Sequence, residues 1–271
     1  DNDSTICYAT TTLTLSVDLR PVFALEDRYV LCVDTNGTET VQTPPVIDTG
    51  LSASDYTFEW TDSSGAVVGT DAFLVPAVAD TYGVLVTDNV TGCQSAATAL
   101  VEQSSPPVVS AYVGTLAFAD QHVIEVTATG DGQYEFSLDG GDWVSDGSGD
   151  GYTFSDVSAG EHTVTARDVN GCGQGSATVM VVDYPPFFTP NGDGYNDTWN
   201  IIGISSQVGA KIYIFDRYGK LLKQLAPNGQ GWDGTFNGHP MPSDDYWFTV
   251  DYVEPADGTA KQFRAHFTLK R

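Results

Sequence analysis

Large apolar and polar side chains alternate with a period of two over most of the chain, which predicts half-buried β-strands. Residues 56–60, YTFEW, set Tyr56, Phe58 and Trp60 on one side, and 134–138, YEFSL, do the same with Tyr134, Phe136 and Leu138. Ala99–Val101 and Ala177–Val182 also read as strands. Near the C-terminus, KIYIFD (211–216) and KLLKQL (220–225) flank Arg217-Tyr218-Gly219 as a hairpin. YWFTVDYV (246–253) and KQFRAHFTLKR (261–271) flank residues 254–258 as another. In the last strand Phe263, Ala265, Phe267 and Leu269 point one way, and Arg264, His266, Thr268 and Lys270 the other. No stretch carries the apolar spacing of a helix. The predicted class is all-β, in sandwich domains.

The pattern also repeats. TYGVLVTDNVTGC (81–93) parallels EHTVTARDVNGC (161–172), matching Val84 with Val164, Asp88 with Asp168 and Cys93 with Cys172 at offsets of 78 to 80 residues across the repeat. Pro-Pro pairs occur at 44–45, 106–107 and 185–186; the last two follow apparent strands and read as short stiff linkers. Three domains follow: 1–105 and 106–183, two divergent copies of one immunoglobulin-like sandwich, and a smaller sandwich over 184–271. SLDGGDW (137–143) is one residue short of an Asp-box and is more simply a hairpin turn into Trp143.

Charge sharpens the division. The chain of 271 residues has 36 acids against 11 Lys and Arg, a net charge of −25. Residues 1–183 hold 27 of the acids and three cations, a net −24, whereas 184–271 come to −1. Phosphate backbones would be repelled by the acidic part, which argues against a nucleic-acid partner. No apolar run approaches the roughly 20 residues that a membrane helix needs. Asp1 opens the sequence without a methionine or an apolar leader, as expected of a mature chain or of a fragment of a longer one.

Four cysteines allow three full connectivities. Cys32 and Cys93 flank Trp60, the order seen where an inter-sheet disulfide packs on a tryptophan, and this pair is the expected bridge. Cys7 and Cys172 stay open: paired, free, or bonded elsewhere. With no CxxC the spacings do not read as a zinc site, and an oxidising exterior fits better. No GxSxG, HExxH or phosphate-cradling loop is present, and His122, His162, His239 and His266 read as isolated surface residues. The expectation is a protein without catalysis.

One loop invites a metal. With Thr189 at position 1, the loop places Asn191, Asp193, Tyr195, Asp197 and Asn200 at positions 3, 5, 7, 9 and 12, with Gly194 at 6, as in a calcium-binding loop. Position 1 lacks a carboxylate and position 12 lacks the bidentate glutamate, so a run of Asx turns accounts for the same residues. Residues 139–156, with repeated Asp-Gly, form a second calcium candidate. Calcium is not a required cofactor on either reading.

Four ordered blocks, FFTPNGDGYNDTWNI, IYIFDRYGKLL, WDGTFNGHPMPSDDYWFTVDY and the terminal HFTLKR, resemble the gliding-motility-associated C-terminal domain of Bacteroidota. That family is the type B sorting domain of the type IX secretion system. Ala265, where a glycine is expected, and the glycine-free turn 242–245 depart from its pattern. The resemblance implies a β-sandwich that acts as an export signal and remains attached at the outer membrane. The implied partners are the translocon and β-barrels of the PorP/SprF type, with a PorV-type shuttle as a further candidate. Implied contact residues are Phe187, Phe188 and Pro190, the loop residues Asn191, Gly192, Asp193, Gly194, Asn196 and Asp197, and Phe267, Leu269, Lys270 and Arg271 of the last strand. Trp199 and Trp232 could anchor an interface but read slightly better as core. More loosely, YEFSLDGGDW and VTARDVNGC resemble repeats of large SprB-like surface adhesins, which implies a stalk for 1–183. The competing reading makes 1–183 a calcium-dependent glycan-binding module, with Trp60, Trp143 and Tyr152 stacking on sugar.

Overall fold

The computed structural model describes residues 11–13 and 17–271. Among them every regular element is a strand, and the all-β class follows the alternation. The chain forms two compact units. One holds the described residues up to Cys32 together with Gln42–Gln103; the other holds Val33–Val41 and Ser104–Arg271.

The first unit contains β1 (Arg28–Cys32), β2 (Ile47–Asp48), β3 (Tyr56–Thr61), β4 (Val67–Gly69), β5 (Phe73–Leu74), β6 (Asp80–Asp88) and β7 (Gln94–Ser104, whose last residue belongs to the second unit). Five form a sheet in the order β1-β7-β6-β3-β4, and β2 pairs with β5. Phe58 and Trp60 alternate into the core beside Val84 and Val86, and the Trp60 indole donates to the Asp71 carbonyl at 2.8 Å.

The second unit contains two cores. In the first, β8 (Val108–Val113), β9 (His122–Thr129), β10 (Tyr134–Leu138), β11 (Gly151–Val157), β12 (Gly160–Asp168) and β13 (Gln174–Val181) form two three-stranded sheets, β10-β12-β13 and β11-β9-β8. Ile124, Val126, Tyr134, Phe136, Val164 and Val181 fill the core. The repeated sequence blocks each turn on an aspartate whose amide bonds to the carbonyl five residues on. Asp88 receives the amides of Val90 and Thr91, and its amide donates to the Cys93 carbonyl at 2.9 Å. Asp168 receives the Cys172 amide, and its own amide donates to Gly173 at 2.9 Å. SLDGGDW is a turn, with the Gly141 amide returning to the Leu138 carbonyl at 2.9 Å.

The second core belongs to the terminal sandwich: β14 (Phe187–Phe188), β15 (Lys211–Phe215), β16 (Leu221–Leu225), β17 (Thr235–Phe236), β18 (His239–Pro240), β19 (Asp244–Val253) and β20 (Ala260–Leu269). The main sheet runs β14-β20-β19-β15-β16, and β17 pairs with β18. Trp199 and Trp232 are fully buried under this sheet and exchange backbone hydrogen bonds of 2.9 and 2.8 Å. The Trp199 ring stacks on Phe267 with centroids 3.9 Å apart.

Two expectations are corrected. Cys93 is a free, half-exposed thiol, so it does not bridge to Cys32; Cys32 and Cys172 are each disulfide-bonded. Cys93 closes the turn after Gly92, which has a φ of 72°, and so lies at the hairpin end rather than between sheets. Cys7 lies outside the described residues. His122 and His162 are buried, not isolated on the surface. His122 meets Thr115 Oγ1 at 3.1 Å and Asp183 at 3.3 Å; His162 meets Asp139 at 2.6 Å and the Ser158 carbonyl at 2.9 Å. Pro185 and Pro186, read as a short stiff linker, are bonded into the terminal sandwich. Their carbonyls accept the Trp199 indole N–H and the Thr268 amide, at 2.8 and 2.9 Å.

Candidate docking site of the terminal sandwich

The motif FFTPNGDGYNDTW divides into buried and exposed parts. Phe187 and Phe188 form β14, which runs parallel to the end of β20 and caps that edge. Alternation then sends the two rings apart. Phe188 is 0% exposed and packs against Trp232 and Phe267; Phe187 is 38% exposed, with the Lys270 ammonium 4.1 Å from its ring centre. Pro190 is half-buried, and Asn191, Gly192, Asp193, Gly194, Tyr195 and Asn196 are exposed.

The loop holds itself together. Both Asp197 carboxylate oxygens accept backbone amides, those of Gly192 and Gly194, each at 2.7 Å. The positive φ values of Gly192 (79°) and Gly194 (87°) turn these N–H groups inward, which a residue with a side chain would resist. Asn191 accepts the Asp193 amide at 3.0 Å and donates to its Oδ2 at 2.8 Å; Asp193 Oδ1 accepts the Tyr195 amide at 2.8 Å. The Asn191 side chain, helped by the Tyr195 amide, keeps the Asp193 carboxyl below its ordinary range. These are successive Asx turns. The oxygens of Asp193 and Asp197 accept donors within the loop, which accounts for the loop's shape without a cation. Among the described residues, no group of three or more His, Cys, Asp or Glu is gathered as a metal site, around 139–156 or elsewhere.

The end of the last strand is structural. Phe267 and Leu269 are core residues, as is Phe188, so these three do not present themselves to a partner. Their burial follows from the inward faces of β14 and β20, which pack in the core with Trp199, Trp232 and Phe248. Gly234 shows how closely the chain packs there: at φ 72°, a Cβ on it would fall 2.7 Å from Leu269 Cδ1. Arg271 is anchored through its side chain, which donates to the carbonyls of Met241 at 2.9 Å and Gly234 at 3.0 Å. Lys270 and Phe187 remain exposed.

Sequence reasoning missed two features of this domain. The first is a joint with the preceding sandwich. Phe118, in the loop between β8 and β9, has a φ of 62° and lies in the terminal core. Its ring stacks on Phe263 at 4.4 Å and meets Tyr252 edge-on at 5.1 Å. The Ala117 amide donates to Glu254 Oε1 at 3.2 Å, and Glu254 is buried, receiving the Tyr252 hydroxyl at 3.1 Å. Burial and the adjacent Glu254 carboxylate push the Tyr252 phenol up to about 12, so it stays a donor. A cleft of about 690 Å³ opens beside this joint, lined by Tyr112, His122, Glu125, Met180 and Glu254 among others. The second feature is the outer face of the main sheet. Strand pairing aligns Phe215, Trp247 and His266 in one row there, and Tyr213, Thr249 and Arg264 in the next. The outward position of His266 and Arg264 was legible, but the neighbours across the sheet required the register.

The fold and this terminal domain together define an all-β, multidomain chain that closes in a self-braced sandwich. Residues 182–268 match the model of the CHU_C type IX secretion signal domain, and the sorting domain indicated by the four sequence blocks is thereby shown. The chain is thus type IX-secreted, with its sorting signal at the C-terminal end. A comparison with curated proteins finds no match. Similar solved structures include three N-terminal domains of the bacteriophage RB49 highly immunogenic outer capsid protein, at 14% identity over 83% of this chain and 93% of that one, TM-score 0.32. A three-Ig titin structure shares 10% identity over 92% and 98%, TM-score 0.38. Extracellular domains 3–5 of Drosophila OTK share 16% over 94% and 98%, TM-score 0.25. At scores this low none of them bears on the role of the domains. Among the described residues no helix is long and apolar enough to cross a membrane.

Proposed function

We propose that this chain is the C-terminal part of a SprB-like cell-surface adhesin of a gliding member of the Bacteroidota. The terminal sandwich is its export and surface-retention module, docking an outer-membrane β-barrel of the PorP/SprF type, with a PorV-type shuttle as the other candidate. The upstream sandwiches are a stalk, and the chain works by binding rather than catalysis. The match of residues 182–268 to a secretion signal domain carries this reading. The charge division supports it: a net −24 over residues 1–183 suits a solvated, non-sticking stalk, and the nearly neutral remainder suits contact.

The aromatics of the glycan-binding alternative are each engaged in packing within their own unit, which favours the stalk. Trp60 is in the core of the first unit, Trp143 lies under the Arg167 guanidinium at 4.2 Å, and Tyr152 packs on Phe154. Expression of the chain in a type IX-competent bacterium, with and without residues 184–271, tests the reading through antibody labelling of intact cells. Labelling of the intact chain alone is expected. Equal labelling of both, or of neither, contradicts it.

A further inference from the structure

The outer face of the terminal sheet has the composition of a contact surface. Ile212, Ile214, Phe248, Val250 and Phe267 point into the core, so the residues alternating with them face away from it. Phe215 lies opposite Trp247, which lies opposite His266; Tyr213 lies opposite Thr249, which lies opposite Arg264. Lys211 heads the third row, before Asp251 and Gln262. The three aromatic side chains are half-buried, while Lys211, Arg264 and His266 are exposed.

Several polar groups of this face are unspent. Among the described residues, neither the Trp247 indole N–H nor the Tyr213 hydroxyl has a hydrogen-bond partner. Lys211 and Arg264 stand outside every ion pair of the described residues, although the chain has 36 acids for 11 cations. Asp251, the acid in the third row, is already held by the Gln262 amide at 2.7 Å. Two unpaired cations among aromatic rings, in so acidic a chain, call for carboxylates from outside. Trp, Tyr and Arg are also the side chains that most often dominate binding energy at interfaces.

We propose that this face, rather than the Asn191–Asp197 loop, is where the sorting domain docks its outer-membrane partner, a protein that presents acidic side chains around an apolar patch. The inference rests on the sorting reading above. Arg264 and Lys211 pair with the partner's carboxylates, and the Trp247 N–H and Tyr213 O–H donate to its acceptors. The rings of Phe215, Trp247 and Tyr213 exclude water from those bonds and so strengthen them. A second copy fits poorly, because a two-fold contact through this face would bring Arg264 and Lys211 towards their own equivalents. A lipid surface fits poorly as well, because half-buried rings on a sheet face do not reach the ~5–10 Å that interfacial anchoring requires.

The test uses the full chain in a type IX-competent bacterium, comparing wild type, Arg264→Glu and Trp247→Ser. The purified variants are melted to confirm that they fold as wild type. In parallel, Tyr213 is replaced by benzoylphenylalanine and irradiated in living cells. Each variant is expected to lose about tenfold or more of its surface-exposed protein while melting like wild type. The cross-linker is expected to join an outer-membrane β-barrel at a peptide bearing Asp or Glu. Wild-type surface levels for both variants overturn the proposal and leave the sorting reading standing. So does an adduct formed only with a second copy, lipid or glycan. If wild type itself fails to reach the surface, the sorting reading falls and this proposal with it.

Discussion

Aspartates organise the turns of this protein, and one of them gives a direct handle on pH. Asp257 ionises at about 2 rather than the ordinary 3.8, because the Thr259 hydroxyl and amide donate to its carboxylate and Lys261 adds its charge. A depressed carboxyl stabilises the fold fully above 3.8, and that contribution disappears as the pH falls towards about 2. The melting temperature of wild type should therefore drop further than that of Asp257→Asn across this acid window. Parallel declines would contradict the assigned role. A second prediction concerns the thiols. Maleimide should label Cys93 in the native chain, while Cys32 and Cys172 should react only after reduction, as read by peptide mapping. Protection of Cys93 without reductant would instead favour the bridge expected from sequence. That bridge was plausible because sequence order places Cys32 and Cys93 around Trp60, but order does not reveal that Cys93 closes a turn.

At the scale of elements, period-two alternation located most long strands and correctly separated the two faces of β20. It could not tell an apolar residue that faces a partner from one that faces the core. Phe188, Phe267 and Leu269, expected as contacts, are core residues, and the rings they pack among come from elements remote in sequence. Phe118 was missed for a related reason. It sits outside any strand, at a positive φ, and its partners Tyr252 and Phe263 are remote in sequence. Phe118→Ala should destabilise the terminal sandwich by about 3 kcal/mol or more, as truncation of a buried ring does. Urea unfolding followed by tryptophan fluorescence, which reports on buried Trp199 and Trp232, checks this. An unchanged urea midpoint would mean that the terminal core does not depend on the ring.

For the whole molecule, the secretion signal was legible because its blocks lie in turns and core positions whose identities are tightly constrained. Gly192 and Gly194 need positive φ, Asp197 binds two of the loop's amides, and Trp199 and Trp232 pair across the core. Domain limits were less legible, because charge and proline pairs mark changes of composition rather than shared cores. The terminal core takes in Phe118 and Val182, and Val33–Val41 belongs with the second unit. The functional module should accordingly begin upstream of residue 182, where the family match starts. The most direct measurement fuses residues 106–271 behind a fluorescent reporter with an ordinary export signal, beside a copy lacking Phe267–Arg271, in a type IX-competent bacterium. Reporter at the surface for the intact fusion alone is the predicted result, because removing Phe267 and Leu269 empties the core against which the signal is built. Retention of both fusions in the periplasm, in cells that display the parent chain, would contradict the claim that this sandwich carries the address.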